Sequence, residues 1–196
     1  MKMTNRAAAA AETRKKLIEN ADRLLFEKGY QQMSIVDITK ASGVAKGTFY
    51  NYFETKEALL LELSKLHLSK LTRQLPQLAT VAPQQALHDY MVDYMRVVVE
   101  SGDNMARQWI RFVVDPKNQQ KWQFDLASLE ELIQGLVDNH RLAASTPVQR
   151  LAELLITDIY GIVFSWCISP TTIDPIQSVV SFCELQLAAI LQTYEL

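Results

Sequence analysis

Glycine and proline are scarce, six of each in 196 residues. That argues against a turn-rich all-β architecture, which needs both at short intervals. Cysteine is scarcer still: Cys167 and Cys183 both sit in apolar helical patterns, far from any other metal ligand. They read as buried free thiols, with a redox switch as the alternative, and no metal site is expected. The three histidines, His67, His88 and His140, are scattered. There is no Gly-x-Ser-x-Gly, no phosphate-binding glycine loop and no His-Glu-x-x-His. Glu130 and Glu131 are adjacent on a helix and face apart. Neither catalysis nor a cofactor is expected. Long uncharged apolar stretches are missing too, since none reaches the ~18–20 residues that cross a bilayer. The start from Met1 to Arg6 is basic, but the alanines after it lead into charged residues and not into an apolar signal core. A cytoplasmic protein without membrane contact is expected.

What is present is apolar and unevenly charged. Hydrophobic residues make up 48% of the chain, enough for a sizeable core, and the length admits one domain or two. The net charge of −2 hides an asymmetry: residues 1–70 hold 12 Lys and Arg against 8 Asp and Glu, the remainder 8 against 14. A basic first third joined to an acidic remainder suggests that only the first third meets a polyanion.

The chain reads as helix after helix. Leu17, Ala21, Leu24, Leu25 and Phe26 recur near the helical period over about 10–28. Lys28-Gly29-Tyr30 closes that helix, with glycine where a left-handed backbone is favoured. Ser34, with Asp37 three residues on, caps a short second helix that Ser42-Gly43-Val44 interrupts within two turns. A third runs from Lys46 to about Phe53. Thr55 precedes a long fourth helix carrying Leu59, Leu60, Leu63, Leu66 and Leu71, predicted to end before Pro76. Further helices are predicted at about 83–101, 104–114, 117–139, 147–168 and 175–194, with Pro147 and Pro175 each at a first helical position. The predicted fold class is all-α with about nine helices: a three-helix unit over 1–56 and a helical remainder over 57–196.

Residues 34–53 carry the most specific signal. Two short helices separated by Ala41-Ser42-Gly43-Val44 match the helix-turn-helix plan, in which Gly43 permits the sharp turn and Ile38, Val44 and Phe49 pack inside. Lys46, Gly47, Thr48, Tyr50, Asn51 and Tyr52 are then left on the outer face and N-terminal end of the third helix. A helix of this kind enters the ~12 Å wide major groove of double-stranded DNA. The run from Ser34 to Phe53, its continuation Thr55-Lys56-Glu57-Ala58-Leu59, and Lys28-Gly29-Tyr30 resemble the DNA-binding signature of the TetR family of one-component regulators. The resemblance covers roughly residues 12–62. It implies Tyr50, Tyr52 and Lys56 as phosphate contacts and Lys46 and Asn51 as readers of base edges. Two departures stand out. Ala45 holds a place where the family usually has Ser or Thr to cap the recognition helix, so that the cap falls to water or Thr48. Ile35 and Val36 stand where some members carry polar phosphate contacts, which shifts part of the backbone grip to Ser34, Thr39, Lys40 and the basic run Arg14-Lys15-Lys16.

For the remainder, the resemblance implies homodimerisation through the last two helices and a small-molecule cavity among the helices before them. Both last helices are apolar well round their circumference, which suits burial on two sides. The interface expectation names Leu151, Leu155, Ile159, Ile162, Trp166, Val179, Phe182, Gln186, Ala189 and Ile190. For the cavity, the aromatic and polar candidates are His67, Tyr90, Met91, Tyr94, Gln108, Trp109, Phe112, Trp122, Phe124, Tyr160 and Phe164. Few charged residues look buried, so an apolar or aromatic effector is expected. The implied function is a repressor released from a palindromic operator by that effector. An activator of the same fold, or a helical interaction module without DNA, are the alternatives.

Overall fold

A computed structural model describes residues 5–194, and among them there is helix and turn but no β-strand. Helix α1 (Asn5–Gln32) is broken at Gly29, whose φ of 75° ends the regular helix one turn early. Short helices α2 (Ile35–Ala41) and α3 (Lys46–Tyr50) follow, then the long α4 (Lys56–Leu78), whose first turn is capped by Thr55 Oγ1 accepting from the Ala58 amide. After these come α5 (Pro83–Glu100), α6 (Asp103–Val113), α7 (Gln119–Asp138), α8 (Val148–Ile168) and α9 (Pro175–Phe182). The helix begun by α9 continues through a π turn at Cys183–Leu187 into the short α10 (Ala188–Leu191).

Three details differ from the sequence expectation. Helix α4 passes through Pro76 to Leu78: a proline in the last turn costs one amide bond, and Leu75 and Ala79 on either side stay buried. Pro147 is the N-cap of α8, not its first helical residue. The π turn in the final helix had no sequence signal. It fits one extra residue into the helix, and Leu185 within it is 80% exposed.

The chain falls into two compact units, one ending at Leu66 and the other beginning at His67, so the division lies inside α4. In the first unit Leu17, Ala21, Ile38, Phe49, Leu59 and Leu63 are fully buried. In the second, α8 packs against α6, α7 and α9, and α5 packs against α9. Leu87, Met91, Met95, Leu129, Ile133, Leu155, Ile159 and Val179 form its dry centre.

Helix α8 is long and apolar enough, by length and composition, to cross a membrane, although Arg150, Glu153 and Asp158 keep it from being an uncharged run. One face, made of Leu151, Ala152, Leu155, Ile156, Ile159, Val163 and Trp166, is buried inside the unit. Leu151, Leu155, Ile159, Trp166, Val179 and Phe182 therefore serve the protomer's own core, which corrects their assignment to an interface between protomers. Ile162 and Ile190 are half-buried, and Gln186 and Ala189 are exposed. The outer face of α8 carries Leu154, Thr157, Gly161, Phe164 and Ile168 at helical spacing, all of them exposed.

Both thiols are free. Cys183 is 2% exposed, and burial, with Asp158 and Glu184 behind it, pushes its pKa up to about 11. Only on the order of a thousandth is then thiolate at pH 8. Iodoacetamide at that pH is expected to leave Cys183 unmodified in the folded protein and to alkylate it in 6 M guanidinium. Prompt native alkylation, read by mass spectrometry, would contradict this burial.

Candidate nucleic-acid interface and effector cavity

The helix-turn-helix is held from below by backbone and cap bonds. Ser34 Oγ accepts from the Asp37 amide at 3.1 Å, while the Ser34 amide donates to Asp37 Oδ2 at 2.9 Å, closing a capping box. Lys28 reaches the same carboxylate at 2.7 Å. The bonds from Lys28 and Ser34 hold the Asp37 carboxyl well below the usual carboxylate range. The sequence marks Ser34 as the cap and Asp37 as a first-turn acid, while the reciprocal bond and the Lys28 contact come from the structure. In the turn, Gly43 has φ 68°, a left-handed conformation strained for any residue with a Cβ. The Ser42 hydroxyl donates to Ile38 O at 2.8 Å, and the Val44 amide donates to Thr39 O at 3.0 Å. Phe49 is fully buried beneath α3, its ring 5.3 Å from Phe53 and edge-on to Tyr50 at 5.6 Å. Ala45 is the α3 N-cap, and no side chain bonds there.

This leaves a defined outer face. Lys46, Gly47, Tyr50 and Asn51 are exposed, Thr48 and Tyr52 half-exposed, and Ser34 and Lys40 exposed at the two ends of α2. Two of the predicted contacts have partners inside the protein, and of these Thr39 is buried away from the outer face. Thr39 is 3% exposed, and its hydroxyl donates back to Ile35 O at 3.0 Å: a threonine in mid-helix finds a carbonyl one turn behind it. Lys56 donates to Tyr30 O and Met33 O, both at 2.9 Å, and stands 3.9 Å over the Tyr30 ring. It closes the C-terminal end of α1, which leaves at most one of its three N–H groups for phosphate. The basic run is also committed: Arg14 pairs with Glu62, Lys15 with Glu19 and Lys16 with Glu12.

Residues 17–63 match the model of the tetR family of bacterial regulatory proteins. The match takes in the helix-turn-helix and the start of α4, so this stretch is a tetR-type DNA-binding region. It is 35% identical over 85 residues to the transcriptional repressor DhaR of a Mycobacterium species, 42% of this chain and 43% of that protein, so it spans less than half of DhaR's length. Against the regulator AcrR of Shigella flexneri it is 24% identical over 178 residues, 84% of this chain and 83% of the other. The solved structure of Thermus thermophilus FadR, a TetR-family repressor in complex with lauroyl-CoA, superposes with a TM-score of 0.73 at 20% identity, covering 91% of this chain and 95% of that one. The likeness to FadR is one of fold.

In the second unit a small cavity of about 20 Å³ is lined by Tyr94, Val98, Trp109, Ile110, Lys121, Tyr160 and Val163. Three of the sequence candidates, Tyr94, Trp109 and Tyr160, line it. His67 stands beside Trp109, ring centroids 6.3 Å apart, and Trp122 packs edge-on to Tyr160 at 5.2 Å. Tyr90, Met91 and Phe112 are buried but do not line the cavity; Gln108 and Phe124 are half-exposed. Phe164 is 54% exposed on the outer face of α8 and is no cavity residue. Among the described residues two charged side chains are buried, and both lie here: Lys121 is 3% exposed and Asp125 0%. They are a buried ion pair one turn apart on α7, and that Lys–Asp spacing inside an apolar stripe was the available signal. The Tyr94 and Tyr160 hydroxyls donate to the same Asp125 oxygen at 2.8 and 2.6 Å. Burial, reinforced by the Asp125 charge, pushes both phenols far above the ordinary tyrosine range, so both remain donors.

Proposed function

We propose that this chain is a homodimeric repressor that grips a two-fold symmetric DNA site with α3 and is released by a small-molecule effector. The outer face of α2 and α3 carries the DNA reading. Lys40 and Lys46 are exposed there and have no acidic partner among the described residues, beside exposed Tyr50 and Asn51. Arg14, Lys15, Lys16, Arg23 and Lys28 by contrast are all paired with acids. In the major groove Lys46 and Asn51 meet base edges, and bare Gly47 lets the backbone come close. Tyr50, Tyr52, Ser34 and Lys40 hold phosphates, which fixes register without reading sequence. The protein acts by binding and not by catalysis, in the cytoplasm where the DNA is.

The second copy supplies the second head. The exposed stripe of Leu154, Thr157, Gly161, Phe164 and Ile168 on α8, together with exposed Leu185, Ala188 and Ala189 on the final helix, suits a four-helix bundle about a two-fold axis. Effector binding in the second unit shifts the population away from the head spacing of about 34–36 Å that adjacent major grooves demand. Helix α4 runs unbroken from one unit into the other and is the natural carrier of that shift. The FadR complex with lauroyl-CoA is a precedent for a small molecule bound to a repressor of this fold.

Selection of bound duplexes from a random-sequence pool tests the reading. A palindrome enriched by the wild-type chain, and not by a Lys46→Ala, Tyr50→Ala variant, is expected. A pool that stays random would overturn it.

A further inference from the structure

The cavity in the second unit, about 20 Å³, has room for little more than a water molecule and is far below the roughly 300–1,000 Å³ of ordinary ligand sites; the Lys121 side chain occupies much of the space between the rings. Its Nζ lies 5.6 Å from the Trp109 ring centroid, 5.7 Å from Tyr94 and 5.9 Å from Tyr160, inside the range in which aromatic faces attract a cation. It also bonds Asp125 and donates to the Tyr94 hydroxyl at 3.3 Å. An internal ammonium thus fills an aromatic box with a carboxylate at its base.

The parts of this box differ in how freely they move. Asp125 is short, fully buried and fixed by two tyrosine hydroxyls, and the three rings are packed among α5, α6 and α8. The ring faces and the Asp125 carboxylate among these fixed parts are electronegative, and the Trp109 indole N–H is the one fixed donor without a partner. The one positive group ends a long flexible stem rooted in the first turn of α7, where no acidic residue offsets the positive helix end. Two buried polar atoms in the cluster also lack partners: Asp125 Oδ1 and Trp109 Nε1, although such groups are normally satisfied.

We infer that this cavity takes a monovalent organic cation with an apolar body, an amine or quaternary ammonium, whose charge replaces the Lys121 ammonium over Trp109, Tyr94 and Tyr160 and against Asp125. The inference rests on the effector-responsive reading above and names its ligand class. Withdrawal of Lys121 enlarges the cavity, and its charge moves to water. An anion would instead meet the Asp125 carboxylate, which cannot leave. Through Trp109 the exchange reaches His67, the first residue of the second unit and part of α4.

The test is calorimetric titration of the full chain with benzyltrimethylammonium, and with phenylacetate and benzyl alcohol as anionic and neutral probes bearing the same ring. Binding of the ammonium in preference to both is expected. Lys121→Met, which keeps the stem and removes the internal cation, should tighten ammonium binding about tenfold, and Asp125→Asn should weaken it about tenfold. If Asp125→Asn fails to fold, as melting by circular dichroism will show, Lys121→Met alone decides. Preference for phenylacetate, no binding by any probe, or no tightening in Lys121→Met overturns the inference. DNA affinity measured on the same samples separates the two readings. Ammonium binding without DNA release sinks the effector reading and leaves the cavity assignment intact. Release by phenylacetate alone does the reverse.

Discussion

Phe49→Ala is expected to abolish DNA binding although Phe49 itself lies away from the reading face. Its ring is fully buried under α3 and touches both Phe53 and Tyr50. Removing a buried phenylalanine costs about 3–5 kcal/mol, a large fraction of the roughly 5–15 kcal/mol that holds a typical domain together. The first unit has few other anchors for α3, which is five residues long with an alanine at its N-cap. Two observations check the result: a thermal melt showing loss of the first unit's transition, and anisotropy with labelled duplex. The control is Val36→Ala on the exposed side of α2, where an effect within about 0.5 kcal/mol is expected. A Phe49→Ala variant with wild-type melting and DNA affinity would mean that α3 is not held as described.

The second large effect is expected from Leu154→Glu combined with Phe164→Glu. Both side chains are about half exposed on the protomer, so each protomer keeps its core and its melting profile. At a two-fold axis, however, every substitution occurs twice, and four carboxylates are brought into an apolar contact. Sedimentation should find a monomer where the wild type gives a dimer. With one head per particle the second half-site no longer binds intramolecularly, and DNA affinity falls by about 10³-fold or more. Charges at Leu151 and Leu155, which the family resemblance places at the interface, should unfold the protomer instead. A variant pair that stays dimeric would locate the interface elsewhere.

That contrast shows where periodicity carries information. In α2 the polar and apolar positions are unambiguous, and Ser34 with Asp37 announces the start, so cap, turn and buried Ile38 were all legible. Helix α8 is apolar all round, and a 3.6-residue period locates stripes without telling which of them faces inward. Only the packing of α8 against α6, α7 and α9 decides that. Thr39 and Lys56 have partners inside the protein for a local reason. Each has a backbone carbonyl in reach, and a donor near an unsatisfied carbonyl bonds it before it reaches outward. Lys121 and Asp125 carry little sequence signal because single charges are usually solvated; only their spacing of one turn marks them as a pair that can neutralise itself inside.

The claim that α3 is the reading head is tested most directly by salt. On the selected duplex, the logarithm of the association constant of the wild-type chain should fall linearly with the logarithm of salt concentration, because each neutralised phosphate releases condensed counterions. Lys40→Ala should reduce that slope by about one per protomer and weaken all sequences alike. Lys46→Ala should cost about 1–3 kcal/mol on the selected site and much less on random DNA. Slopes and site preference unchanged in both variants would contradict the account.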